Sequence, residues 1–150
     1  MAFLEIPRFY NFKANIITFN GLEITGFGDD GGVEYEMGDD IHRDASTADG
    51  ETIVSRVNDA RLYATFTVME TSRGYRILSE LLREQLSVET AIPPLPYIHI
   101  DPINGDVVRS SHAVFMQHPS PSKARDEGTR EFRILLPYAA YSMELGIAIL

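Results

Sequence analysis

Alternating apolar and polar residues run through most of the chain and predict β-strands. Val33, Tyr35 and Met37 place apolar side chains on one face of a strand, while Glu34 and Glu36 lie on the other. This alternation is typical of a strand that is buried on one face only. Segment 61–69 is also predicted to be a strand, with Leu62, Ala64, Phe66 and Val68 on one face. Further predicted strands lie at 112–117, 132–136 and 138–149.

Two Asn-Gly pairs predict tight β-hairpins. Asn20-Gly21 follows the apolar segment 16–19, and Asn104-Gly105 follows the segment 97–100. Both residues of such a pair tolerate the positive φ that a type I′ turn requires. We therefore expect each pair to join two antiparallel neighbours.

One segment departs from the period of two and predicts an amphipathic helix at 72–86, with Thr71 or Ser72 as its N-cap. Three prolines at 93, 94 and 96 then exclude helix and favour an extended crossing to the next strand. The predicted fold class is mainly β with one α-helix, a sandwich or barrel formed as one domain over residues 1–150. The apolar stripe of the helix consists of Tyr75, Leu78, Leu81, Leu82 and Leu86.

Nearly all of the net charge lies in one segment. The chain carries −9 overall, and residues 29–51 hold nine acidic residues opposed only by Arg43, which gives −8. Tight binding to nucleic acid needs cations that displace counterions, so an acidic band excludes it and suits either a solvated surface or one that repels polyanions. The polar stretch 37–52 is too long for a simple hairpin turn, and we expect a long loop that contacts another chain.

No catalytic or metal-binding constellation stands out. The absence of cysteine excludes disulfides, thiolate metal sites and a cysteine nucleophile. The glycine pattern at 26–31 fits a dinucleotide-binding loop, but a predicted strand follows it and two aspartates would repel the phosphates. The segment 44–51 departs from the calcium-loop pattern. We expect neither an enzyme nor a cofactor.

The histidines show no close metal-ligand spacing. His99 and His112 flank the second predicted hairpin and are candidates for a cross-strand pair. The other two histidines are His42 and His118.

Both ends of the chain are apolar. We expect the arms at about 1–12 and 143–150 to complete a sheet or to cover the edge of a neighbour. No apolar run approaches the ~18 residues that a membrane span needs, and the first residues lack the pattern of a secretory signal. These features favour a soluble protein made in a reducing cytoplasm.

The order of these parts resembles that of bacteriophage tail tube proteins and their secretion-system relatives. An early hairpin precedes Gly-Val-Glu-Tyr-Glu at 32–36, and a long polar loop with Asp-Ala-Ser-Thr-Ala-Asp-Gly-Glu at 44–51 follows. The strand Ala-Thr-Phe-Thr-Val at 64–68 runs directly into the helical segment 72–82. A late strand opens with Glu-Gly-Thr-Arg-Glu-Phe-Arg-Ile at 127–134, so the likeness spans roughly residues 12–142.

The resemblance implies a structural subunit of a virion tail, made in the host bacterial cytoplasm, whose hexameric rings stack into a tube lined by a continuous β-barrel. About six subunits with about four strands each, spaced ~4.8 Å and tilted ~40°, give a bore of about 38 Å, which admits duplex DNA of about 20 Å. The implied partners are copies of the chain itself, a tape-measure protein, baseplate and terminator proteins, and a sheath if the tail contracts. DNA would pass during ejection without specific binding, and no membrane is involved.

Within this scheme we expect Glu34 and Glu36, together with Thr65 and Thr67, to face the lumen, where acidic side chains would repel phosphates. We expect Arg56 and Arg61 to pair with acids of neighbouring chains, solvated charges being the alternative. Two other functions stay open: a secretion-system tube or another tail or baseplate component, and a small-ligand-binding β-sandwich. The residues expected to contact the next subunit or ring are Asp39, Asp40, His42, Arg43, Asp44 and Asp49.

Overall fold

The computed structural model describes residues 11–27, 32–120, 125, 127–143 and 147–148. Of the predicted terminal arms at about 1–12 and 143–150, the described residues include 11, 12, 143, 147 and 148, and the rest lies outside them. Within them, a 3₁₀ turn at Phe12–Ala14 precedes β1 (Ile16–Phe19), β2 (Leu22–Glu23), β3 (Val33–Met37), β4 (His42–Ser46), β5 (Thr52–Arg56), β6 (Leu62–Met69), α1 (Arg73–Leu86), β7 (Tyr97–Asp101), β8 (Asp106–Ser110), β9 (Val114–Phe115), β10 (Thr129–Leu136), β11 (Ala140–Met143) and β12 (Ile147–Ala148).

The strands form two antiparallel sheets and a separate two-stranded ribbon. One sheet has the order β12-β11-β8-β7-β1-β2 and the other the order β3-β6-β10-β9. The ribbon consists of β4 and β5. The segment 138–149, predicted to add one strand, instead contains β11 and β12, which pair with each other.

The core lies between the two sheets. Phe66 of β6 packs edge-on against Tyr97 of β7, with ring centroids 5.7 Å apart, and Phe19 of β1 stacks on Phe115 of β9 at 5.5 Å. These contacts join a strand of one sheet to a strand of the other. The predicted class, a mainly β sandwich with one helix, is confirmed.

Helix α1 begins at the predicted cap and packs into this core. The Ser72 hydroxyl accepts a hydrogen bond from the Tyr75 amide at 3.2 Å, which satisfies a donor that the first turn leaves free. Leu86 was predicted to belong to the buried stripe, but it is 56% exposed. Gln85 is buried in its place, because its side chain donates to the Ala113 carbonyl at 3.0 Å and accepts from the Phe115 amide at 2.9 Å.

Two glycines let the start of α1 lie directly against the chain after β2. A Cβ on Gly74 would lie 1.9 Å from the Thr25 carbonyl oxygen. Gly26 has φ +80°, and its Cβ would lie 2.2 Å from Cβ of Ser72. Residues 28–31 of the glycine pattern lie outside the described part, and the residues that follow form β3 rather than a helix.

The two predicted hairpins differ in their turns. Asn20 and Gly21 both have positive φ, 53° and 79°, as a type I′ turn requires. The second hairpin instead has a four-residue loop at 102–105, because Asp101 pairs with Asp106 and its carboxylate accepts from the Ile103 amide at 3.1 Å. His99 therefore pairs with Val108, and the predicted pairing of His99 with His112 is wrong.

Candidate assembly surfaces

The long polar segment forms an extended ribbon rather than an irregular loop. His42 pairs with Arg56 and Ser46 with Thr52, and the turn closes with a bond from the Thr47 amide to the Glu51 carbonyl at 2.8 Å. The prediction that 37–52 is a long loop is wrong, because residues 42–46 of this stretch form β4, which pairs with β5 as far as Arg56. We call residues 42–56 the arm.

Every residue in the two strands of the arm is exposed. Ile53 is 51% and Val54 is 64% exposed, and as consecutive residues of a strand they point to opposite faces. Ile41 at the base of the arm is 70% exposed. An isolated two-stranded ribbon is only marginally stable in water, so one with apolar side chains on both faces is suited to contacts on both faces.

The predicted contact residues are brought together on the arm and at its base, where the cations have partners within the chain. Arg43 forms an ion pair with Asp39, and the Arg56 guanidinium lies 3.5 Å from the His42 ring. Asp44 and Asp49 are exposed on the arm, and Asp40 is exposed just before it.

Arg61 likewise has a partner within the chain, because its Nη2 donates to Asp59 Oδ2 at 2.7 Å. These hydrogen bonds lower the pKa of Asp59 and raise that of Arg61. Pairing of Arg56 and Arg61 with acids of neighbouring chains stays a prediction.

The four residues predicted to face a lumen share one face of the four-stranded sheet. Glu34 pairs with Thr65, and Glu36 and Thr67 lie two residues from this pair on their own strands. We call this surface the polar face. The opposite face of β6 is fully buried at Leu62, Ala64, Phe66 and Val68.

Arg133 gives the polar face a cation that the sequence did not single out. It pairs with Thr65 across the strands, and its guanidinium lies 4.7 Å from the centroid of the Tyr63 ring and 3.7 Å from the Glu36 carboxylate. The alternation of β10 put Arg133 opposite the buried positions, but nothing local indicated the stacking on Tyr63. Among the described residues, the face carries Glu34, Glu36 and Glu131 against this one arginine.

A nearly buried ion pair ties the start of β10 to the end of β6. Arg130 Nε donates to Glu70 Oε1 at 2.7 Å, and the Arg130 guanidinium lies 5.5 Å from the centroid of the Tyr75 ring. Arg130 is two residues from Phe132 and four from Ile134, so all three share one face of β10. This spacing was the one signal in the sequence that Arg130 faces inward.

Neither a metal site nor a membrane-spanning helix is present in the part of the chain that the structure describes. No three His, Asp or Glu residues there are grouped so that they could hold a metal ion. Its helix is too short and too polar to cross a bilayer.

Comparison with solved structures relates this architecture to contractile injection systems. The tube-terminating cap of the anti-feeding prophage is 7% identical with a TM-score of 0.56, over 95% of this chain and 96% of that chain. The sheath–tube terminator of the PVC extracellular contractile injection system, in its extended state, is 10% identical with a TM-score of 0.57, over 93% and 99%. The sheath–tube complex of the same system is 11% identical with a TM-score of 0.55, over 86% and 88%.

At these identities the likeness establishes a tail-type fold. No known family profile and no curated protein matches the sequence.

Proposed function

We propose that the chain is a non-enzymatic structural subunit of a phage-type tail tube, which assembles with its own copies into stacked hexameric rings around a channel for DNA. The arm is the observation that carries this proposal. Its ten strand residues are exposed, and both faces bear apolar side chains. Such a ribbon would be stabilised by other chains that pack on both of its faces.

The polar face supports a channel with an acidic lining. Glu34 and Glu36 stand beside Thr65 on an antiparallel sheet of four strands, and β3 forms one edge of that sheet. Sheets with open edges can join edge to edge into a closed barrel, which removes the unpaired strand edges. Carboxylates on the inside would keep phosphates from sticking during passage.

The tail-type fold supports a set of protein partners. In that role the subunit would contact a tape-measure protein, baseplate and terminator proteins, and a sheath in a contractile tail.

A second candidate is the ring that ends a tube rather than the repeating ring. Two of the similar structures are a tube-terminating cap and a sheath–tube terminator. In each comparison the matched part is at least 93% of this chain and at least 93% of the other chain. A terminating ring would stack on one side only, so purified protein would form single rings or short stacks.

Electron microscopy of the purified protein in negative stain tests both candidates. Long hollow tubes support the repeating subunit, and single hollow rings support the terminating ring. A monodisperse monomer at high concentration would overturn both.

A matched pair of variants tests the arm. Val54 is 64% and Ile92 is 62% exposed, so Val54→Asp and Ile92→Asp introduce the same charge at equally exposed sites. We expect the first change to abolish stacking and the second to leave it intact. Normal assembly of Val54→Asp, or equal loss in both variants, would contradict the role of the arm.

A further inference from the structure

A network of hydrogen bonds between buried and half-buried polar side chains connects one sheet to the other. The Tyr35 hydroxyl, on β3, contacts the Tyr97 hydroxyl on β7 and lies 2.5 Å from Nδ1 of His99 on the same strand. His99 Nε2 lies 2.8 Å from Oδ1 of Asn15, just before β1. Four side chains thus connect β3 of the four-stranded sheet to β7 of the six-stranded sheet.

The acceptor atoms of this hydrogen-bond network determine which atom donates in each bond. The Asn15 amide oxygen only accepts, so His99 Nε2 carries a proton and donates it. The neutral ring then has a bare Nδ1, which accepts from the Tyr35 hydroxyl. The Tyr35 oxygen in turn accepts from the Tyr97 hydroxyl, so each of the three bonds has one donor and one acceptor. Nδ2 of Asn15 is buried and has no partner among the described residues.

A second proton on His99 reverses this order. Nδ1–H must then donate to the Tyr35 oxygen. Whether Tyr35 donates to Tyr97 or accepts from it, one of the two hydroxyl hydrogens has no acceptor within the network, and the Tyr97 ring is fully buried among Phe19 and Phe66. A buried donor without a partner destabilises the fold that contains it.

The surroundings of His99 favour its neutral form. The titratable residues Tyr35, Asp101, Asp106 and Tyr141 face His99 across a cleft of about 320 Å³. Burial lowers the pKa of His99, and the carboxylates of Asp101 and Asp106 oppose this shift without cancelling it. Burial also raises the pKa of Tyr35, Tyr97 and Tyr141, so all three stay protonated near neutral pH.

We propose that Tyr97, Tyr35, His99 and Asn15 form a pH-sensitive lock between the two sheets, closed when His99 is neutral and opened by its protonation. Tyr35 lies between Glu34 and Glu36 on β3, so the lock also holds the strand that carries the polar face and one edge of its sheet. Acidification would release this strand from the six-stranded sheet. The lock is a property of the single chain and does not depend on the proposed assembly.

Thermal unfolding between pH 5 and pH 8 tests the lock. The pKa of His99 in the folded state lies below its ordinary value near 6.5. The stabilisation is therefore present above that value and is lost as the pH falls through the folded-state pKa. Between pH 7.5 and pH 5 we expect the Tm of the native chain to fall by about 2–4 °C more than that of His99→Gln, whose side chain does not titrate.

His112→Gln is the matched control, because His112 is an exposed histidine whose one side-chain hydrogen bond among the described residues is to the adjacent Ser111. It should keep the pH dependence of the native chain, whereas Tyr35→Phe should reduce the part due to His99 without abolishing it, because burial of the ring still disfavours its charged form. If His99→Gln retains the full pH dependence of Tm, the lock is wrong.

NMR of the native protein gives a readout that requires no variant. At pH 7.5 the ¹⁵N shifts of His99 should indicate a proton on Nε2 and none on Nδ1, and its titration midpoint should lie below the ordinary value near 6.5. A proton on Nδ1 at pH 7.5, or a midpoint at or above that value, would overturn the lock. If the purified protein forms no tubes in micrographs, that result counts against the proposed function and not against the lock.

Discussion

The sandwich and the arm are both built from antiparallel strands. The sandwich buries one face of its strands, whereas the two strands of the arm bury neither face. Strand β6 buries every second residue completely, from Leu62 to Val68, whereas β4 and β5 bury none. The sequences differ in the same way. Strand β6 alternates strictly, and the arm instead places Ile53 and Val54 side by side on opposite faces.

This contrast separates folding from association. Burial of apolar surface is the main stabilising contribution to a fold, so substitutions in the sandwich should lower the free energy of unfolding. No strand residue of the arm is buried within its own chain, so substitutions there should change that free energy much less. Their effect should appear in assembly.

The largest effect is expected from Phe132→Ala. The Phe132 side chain is fully buried between Tyr75 and Phe115, so its removal leaves a cavity and should lower the free energy of unfolding by about 3–5 kcal/mol. Urea denaturation measures this loss. Tyr138→Ala, at a position 88% exposed, should change the same free energy by less than about 0.5 kcal/mol, and equal losses would contradict the assignment of the core.

A smaller loss is expected from Gly74→Ala. The new methyl group would overlap the Thr25 carbonyl, so α1 must shift and stability should fall by about 1–3 kcal/mol. Gly32→Ala is the control, since the nearest atom to its methyl group would be Phe12 Cζ at 3.7 Å. Thermal melts compare the two variants with the native protein. If both variants keep the native Tm, the helix does not approach the chain after β2 so closely.

Ser72→Ala removes the N-cap of α1 and should lower the free energy of unfolding by about 1 kcal/mol. Ser87, at the other end of the helix, is exposed and bonds only to the Glu84 carbonyl through its hydroxyl. Ser87→Ala should therefore have the smaller effect in urea denaturation. The reverse order would mean that the helix begins at a different residue.

The smallest effect on stability is expected from Val54→Ser in the arm. Because Val54 is largely exposed, the free energy of unfolding should change by less than about 0.5 kcal/mol under conditions that keep the chain monomeric. Sedimentation at higher concentration should show weakened association. A loss of more than about 1 kcal/mol in the monomer would mean that the arm packs on its own sandwich.

Local signals predicted the sandwich well. The buried face of β6, the turn at Asn20-Gly21 and the cap at Ser72 each depend on residues that are close in sequence, and all three were predicted from it. The order of the strands within each sheet and the two sheets themselves depend on contacts between distant segments, which a repeating pattern does not encode.

The remaining features depend on such distant partners. Gln85 replaces Leu86 in the buried stripe because it satisfies backbone groups of 113–115. Tyr35 is 64 residues from His99, so no spacing could indicate their hydrogen bond. The arm lacked the alternation by which strands are recognised, since neither of its faces is buried within the chain.

The base of the arm is closed by two backbone hydrogen bonds, from the Val57 amide to the Ile41 carbonyl at 2.8 Å and from the Gly38 amide to the Arg61 carbonyl at 3.0 Å. Everything beyond these bonds can change in length or composition without altering a residue of the sandwich core. In the proposed assembly, changes in the arm would therefore alter which copies associate at little cost to folding. The same separation makes the arm a suitable place for grafting a foreign peptide.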